Sequence, residues 1–336
     1  MGKLLVRRAW ILVPTLFGAV LACFLIAHYV PGDPLAAVLG DRAMENPEIV
    51  AAYRAKWGLD RSLPEQFGIY VWNLVRGDLG ISIRTQRPVV EDLAEYLPAT
   101  LELALGSLVL AIGGGILLGV VAAVRCNSWV DQVLRVVAMT GSSTPVFWMA
   151  LIFLQVFYAG LGWSPGPGRL DTSLSPPPSR TGLYVVDALL ASNLSVALNA
   201  LRHLLLPSIV LGWRQLGLIA RITRASMLEV LSADYVRTAR AKGLAERVAV
   251  VRHALPNALL PTVTIIGLAV AGVLAGAVQT EVIFAWPGVG RYAVESSQAL
   301  DFTGIMGVTL LISCLYALSN LAVDLLYGVL DPRIRE

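Results

Sequence analysis

The stretch LALGSLVLAIGGGILLGVVAAV, Leu103–Val124, runs for 22 residues without an Asp, Glu, Lys or Arg. About 20 such residues cross the hydrocarbon core of a bilayer as an α-helix, whose backbone groups satisfy one another where water cannot. Outward from it lie four more charge-free runs: Ala9–Gly32, Val136–Gly168, Ala254–Thr280 and Phe302–Val323, of 24, 33, 27 and 22 residues. A further apolar segment, Leu201–Ala220, carries Arg202 and His203 at its start and is interrupted inside by Arg214 and Gln215. The whole chain agrees with its parts. It has 336 residues, 56% hydrophobic and 15% charged, with mean hydropathy +0.69. Ordinary soluble domains carry about 25% charged residues. The expected fold is therefore all-α and integral to the membrane, with six transmembrane helices near 10–30, 101–124, 136–162, 201–222, 256–280 and 303–327.

Lys3, Arg7 and Arg8 precede the first run as they would a signal peptide. The run is too long for one, however, and Pro31-Gly32-Asp33-Pro34 is a poor cleavage site. It reads as a retained helix. Lysine and arginine then set the orientation. With the N-terminus in the cytoplasm, the inside segments 1–8, 125–135, 221–253 and 329–336 hold 3, 2, 7 and 2 basic residues. The short outside loops 163–203 and 281–301 hold 3 and 1. Both termini are expected in the cytoplasm. The long outer segment 31–98 holds two proline-to-glycine stretches, Pro47–Gly58 and Pro64–Gly77, that read as short surface helices. Loop 163–203 carries Pro165, Pro167 and Pro176-Pro177-Pro178, and its first half is expected to be extended.

A net charge of +3, with basic residues confined to short loops, gives no continuous nucleic-acid footprint. Cys23, Cys126 and Cys314 form no disulfide framework, and His28, His203 and His253 are too scattered for a metal site. No Gly-x-x-x-x-Gly-Lys-Ser/Thr phosphate loop is present, so ATP chemistry is not expected in this chain.

The segment 232–256 is the most informative. Ser232 reads as an N-cap with Asp234 in the first helical turn, Ala233–Lys242 as a short helix, and Gly243 as its stop. Ala245–Leu255 reads as a second helix leading into Pro256 and the fifth span. Two helices about a glycine turn make a rigid knob, suited to passing force to another protein.

This loop resembles the cytoplasmic coupling loop of ABC-importer permeases: Glu-Ala-Ala, three residues, Gly, nine residues, then Ile-x-Leu-Pro. Gly243 as the glycine puts the triplet on Arg237-Thr238-Ala239 and the close on His253-Ala254-Leu255-Pro256. Arg237 replaces the acid and His253 the isoleucine. Tyr235–Leu244 resembles the form in the dipeptide, oligopeptide and nickel permeases. The likeness extends to Pro31–Pro34, Gly77-Asp78-Leu79-Gly80-Ile81-Ser82, Leu97–Leu103, Thr223–Leu231, Trp286-Pro287-Gly288-Val289-Gly290-Arg291 and Asp331–Arg335. The long segment after the first span is typical of the first of the two permease subunits.

The resemblance implies a translocation subunit with no cofactor of its own, ATP and Mg being bound by partners. Those partners are a second homologous permease, two cytoplasmic ATPase subunits, an extracytoplasmic substrate-binding protein and membrane lipid. It implies uptake of di- or oligopeptides by alternating access, with nickel, glutathione or an oligosaccharide as alternatives. An ion-driven secondary transporter and an intramembrane enzyme are the competing classes. The residues expected to meet the ATPase are Tyr235, Arg237, Thr238, Ala239, Arg240, Ala241, Lys242, Gly243, Leu244, His253, Leu255 and Pro256.

Arg214, with Gln215 beside it, is the one basic residue well inside a span. It is read either as lining the pathway and attracting a carboxylate, or as paired with an acid or snorkelling. Glu102 reads as the helix-start residue of the second span, and Glu281 and Asp324 as reaching water or a partner. Gly113, Gly114, Gly115 and Gly119 are expected to allow close helix packing. Trp148, Trp163, Trp213 and Trp286 are expected to pack or to anchor at the interface.

Overall fold

The computed structural model describes residues 14, 16–22, 24, 25, 47 and 61–330, with side chains at 271, 275 and 322–330 outside the description. Nearly all of the first expected span, the stretch 48–58, the Pro31–Pro34 motif, Asp331–Arg335 and the Asp324 side chain lie outside the described residues. Eleven helices follow one another from residue 63: α1 Leu63–Val75, α2 Val89–Val124, α3 Trp129–Ser143, α4 Val146–Phe153, α5 Tyr184–Leu190, α6 Leu194–Leu231, α7 Asp234–Ala241, α8 Glu246–Val248, α9 Leu255–Ile283, α10 Val289–Gln298 and α11 Phe302–Leu330. π-helical turns extend α4 through Leu154–Gly160 and join α8 to α9 through Ala249–Ala254. No strand occurs among the described residues, only an isolated bridge between Ile81 and Pro88.

Four helices are long and apolar enough to cross a membrane, starting at Val89, Leu194, Glu246 and Phe302. The pair Trp129–Ser143 and Val146–Gly160, bent by 116°, makes up to five. That bend breaks the expected span 136–162 at Pro145. Pro145 has no N–H to give, and its ring forces the preceding residue out of the α region. Thr144 is accordingly extended, at ψ 131°. Ser128 starts α3, its hydroxyl accepting from the Asp131 N–H at 3.3 Å.

The fourth expected span, 201–222, lies within a 38-residue helix that begins at Leu194, capped by Asn193 Oδ1, which accepts from Val196 N–H at 3.2 Å. Residues 161–183 form no helix, as the proline-rich composition implies.

Two compact units divide the chain, Met1–Pro98 with Pro287–Glu336, and Ala99–Trp286. In the first, Val89, Leu93, Val289, Tyr292 and Val308 form the apolar core. The Gly77–Ser82 motif makes a tight turn there, with Gly77 and Gly80 at φ 79° and 86°. Asp78 Oδ1 accepts from the Gly80 N–H at 2.9 Å, and Ser82 Oγ donates to the buried Asp301. Tyr292 donates to Asp92 Oδ2 at 3.1 Å, and burial together with that carboxylate pushes its phenol up to about 12.

In the second unit the glycines of α2 meet α6 with little space to spare. A Cβ on Gly115 would lie 2.7 Å from Ile219 Cβ, and one on Gly119 would lie 2.6 Å from Thr223 Cβ. Gly114 meets Leu216, while Gly113 faces open space and takes no part in this packing. Trp286 is buried and donates to Ala99 O at 2.8 Å, and Trp213 donates to Val137 O at 3.1 Å. Trp148 and Trp163 are exposed.

Glu102 departs from its expected place. Helix α2 starts at Val89, so Glu102 lies well inside it, buried, and paired with the buried Arg169. Glu281 departs too, being fully buried and accepting from Thr100 Oγ1 at 2.6 Å.

Candidate functional site

The loop between α6 and α9 folds as a knob with a buried inner face and an exposed outer one. Ser232 does not cap α7. It is the C-cap of α6, with its hydroxyl donating to Glu229 O at 2.7 Å, and the N-cap of α7 is Ala233. Asp234 still opens α7, where its charge suits the helix dipole. The helix ends at Ala241, and Gly243 follows in the left-handed region at φ +82°. Gly243 N–H donates to Arg240 O at 2.9 Å, so the carbonyls at the helix end are taken up by the turn.

The second expected helix is a single turn, Glu246–Val248, that opens into the π-turn and runs on into α9. Pro256 falls in the first turn of α9 and does not break the helix, since N–H groups there need no partner within the helix. A bidentate pair closes the glycine turn from outside: Arg240 Nε and Nη2 reach Glu246 at 3.0 and 2.7 Å. Asn257 Nδ2 donates to the Tyr235 hydroxyl at 2.9 Å, which ties α7 to α9.

Burial sorts the candidate residues. Val236 is fully buried in a cluster with Ala123, Met227, Val250, Ala254 and Ala258. Ala239 is buried beside it, so this alanine seats the knob and does not face a partner. His253 and Leu255 are half-buried. Tyr235, Arg237, Thr238, Arg240, Ala241, Lys242, Gly243, Leu244 and Pro256 are exposed. The outer face thus joins cations to an apolar edge at Leu244 and Val248.

Arg214 and Gln215 are not brought together. Gln215 lies against Gly272 of α9, where a Cβ would come within 2.4 Å of its Nε2. Arg214 is exposed on the side of α6 facing α3, in a cavity of about 320 Å³ that it shares with Arg135, Arg221 and Arg224. Sequence reading missed the clamp on the loop after α4. Arg169 donates to Glu102 and, at 2.9 Å, to Gly182 O, and lies 3.6 Å from the Tyr184 ring centre. Val185 N–H donates to the other Glu102 oxygen at 2.9 Å. A buried Glu far from any Lys or Arg in sequence was the available signal.

Residues 115–336 match the family described as binding-protein-dependent transport system inner membrane component, and residues 1–104 match its N-terminal companion. The probable D,D-dipeptide transport system permease protein of Escherichia coli K12 is 50% identical over 332 residues, covering 99% of this chain and 97% of that one. The di/tripeptide transport system permease protein of Pseudomonas aeruginosa is 43% identical, covering 100% and 99%. The glutathione transport system permease protein of Escherichia coli O6:H1 is 37% identical, covering 98% of each. The chain belongs to the inner-membrane components of binding-protein-dependent transport systems, the permease subunits of ABC importers.

Proposed function

We propose that this chain is the first of two permease subunits in an ABC importer for di- or oligopeptides, and that the 234–244 knob is where ATP-driven movement enters it. The observation that carries the reading is the two-sided knob. Val236 roots it among side chains of α2, α6 and α9, with Ala239 buried on the same helix, while the exposed face from Arg237 to Lys242 is left to a partner. A rigid element anchored to three long helices transmits a push as a helix movement, which alternating access requires. The peptide class follows from relatives whose names specify dipeptides and di/tripeptides. On this reading the chain crosses the membrane six times, with both termini and the knob in the cytoplasm. It assembles with a second permease, two ATPases that bind ATP and Mg, and an external binding protein.

The test is co-expression with the neighbouring genes, purification in nanodiscs and a peptide-stimulated ATPase assay, with Gly243→Pro beside the native chain. Proline fixes φ near −65°, against +82° here. A four-part complex whose stimulated hydrolysis is lost or uncoupled in the variant is the expected result. A chain that purifies alone and transports on an ion gradient would refute the reading.

A further inference from the structure

We infer that the arginine-lined cavity between α2, α3 and α6 holds the headgroup of an anionic phospholipid. Arg214, Leu218, Arg221 and Ala225 recur at the spacing of one face of α6 and all line the cavity. Arg214 and Arg221 stand about 10 Å apart along the axis at 1.5 Å per residue. Arg135 and Arg224 complete the cationic lining, and Leu118 and Met139 are among its apolar walls.

The charge there is unbalanced. Asp131, the nearby carboxylate, is fully buried and already engaged. Arg224 reaches its two oxygens at 2.8 and 2.7 Å, and Arg135 Nε lies 3.5 Å away. Arg214 and Arg221 have no ion pair among the described residues. Both lie on a helix apolar enough to span the membrane, and Arg214 falls inside the expected span 201–222, where an uncompensated guanidinium is costly. An anion is needed to offset that cost.

Two features select the anion. The cavity offers no free carboxylate for an ammonium group, which disfavours a zwitterionic peptide and an ethanolamine headgroup alike. Its wall is also partly apolar, with Leu118 of α2 and the exposed Met139 of α3 in the lining. A phosphate next to acyl chains, as in phosphatidylglycerol, matches both the charge and the wall.

The test is native mass spectrometry of the full chain in detergent with phosphatidylglycerol, phosphatidylcholine, inorganic phosphate and dialanine. Phosphatidylglycerol is expected to be retained at least tenfold more tightly than phosphatidylcholine, with neither phosphate nor dialanine displacing it. The double variant R214Q/R221Q should reduce that preference at least fivefold, while R214K/R221K keeps most of it. R247Q, outside the cavity, should leave it unchanged. Should R214Q/R221Q fail to fold, the competition on the native chain still decides.

Equal retention of the two lipids overturns the assignment, as does inorganic phosphate binding as tightly as phosphatidylglycerol. Displacement by dialanine overturns it in favour of a transport-path site. None of these results bears on the permease assignment, which rests on the ATPase assay.

Discussion

Neutralising Glu102 should be among the most costly single changes in the chain. Glu102 and Arg169 are 6% and 8% exposed, and their pair fixes the loop after α4 to the side of α2. Glu102→Gln keeps the shape but leaves the Arg169 guanidinium buried without a counter-charge. Breaking such a pair from one side costs about 3–5 kcal/mol. At 1.4 kcal/mol per tenfold, that is about two to three and a half orders of magnitude in the folded-to-unfolded ratio. Arg169→Met leaves the opposite orphan, at a similar cost. The double variant removes both charges and puts an apolar side chain against Tyr184 and Trp286, which flank the guanidinium at 3.6 and 5.6 Å. It should be more stable than the sum of the singles implies, with a coupling energy of about 2 kcal/mol or more. Equilibrium unfolding of the four proteins in mixed micelles measures this, and protease cutting between 161 and 183 reports the loop directly. Additivity within about 0.5 kcal/mol would refute the argument, because it would mean that each charge finds water without the other.

The helix seam gives a second contrast: Gly119→Ala should destabilise by about 1–3 kcal/mol because its Cβ would also meet Ala220 O at 2.7 Å. Gly113→Ala, which meets nothing, should be neutral or slightly stabilising in the same melting experiment. Asp131→Asn leaves Arg224 without its bidentate partner and should cost about 3–5 kcal/mol, whereas Arg135→Gln, at a longer and more exposed contact, should cost less than about 1 kcal/mol. Asp187 organises the 180–187 turn: burial raises its carboxyl, but the Thr181 side chain and the backbone N–H groups of Thr181, Arg180 and Gly182 outweigh that and hold it below the ordinary aspartate value. Its contribution is therefore fully present above about pH 4 and fades as pH falls through the lowered value. Cleavage of this loop should rise only there with an acid protease, whereas in Asp187→Asn it should already be raised at neutral pH with a neutral protease.

Long charge-free runs were legible because hydrocarbon tolerates little else, and α2, α9 and α11 sit where those runs place them. The rule failed where a charge inside a helix has a partner or where a charge-free run is not one helix. Glu102 looked like a helix start, yet α2 begins at Val89 and carries Pro98 in its interior. Its first turn holds Glu91 and Asp92, which suit the dipole but interrupt the hydrophobic signal. In 136–168 the charge count saw one apolar run, although Pro145 was in plain view as the residue that turns the chain by 116°.

The candidate site divides along the same physical line. Gly243 and the knob were readable because a turn is local: a left-handed glycine needs only its neighbours. The role of Ala239 was readable as identity but not as function, since only the packed structure shows that this small side chain is buried on the inner face of α7. Arg214 and Gln215 show the limit most clearly. Consecutive helix residues diverge by about 100°, so adjacency in sequence argues against a shared site. Arg214 instead finds Arg221 two turns on, and Arg135 and Leu118 from helices far away in sequence. Among the described residues it has no ion pair, and the one carboxylate nearby, Asp131 in the first turn of α3, is taken by Arg224. The cavity's lining therefore holds four arginines and no carboxylate, a balance legible only once α2, α3 and α6 have been packed.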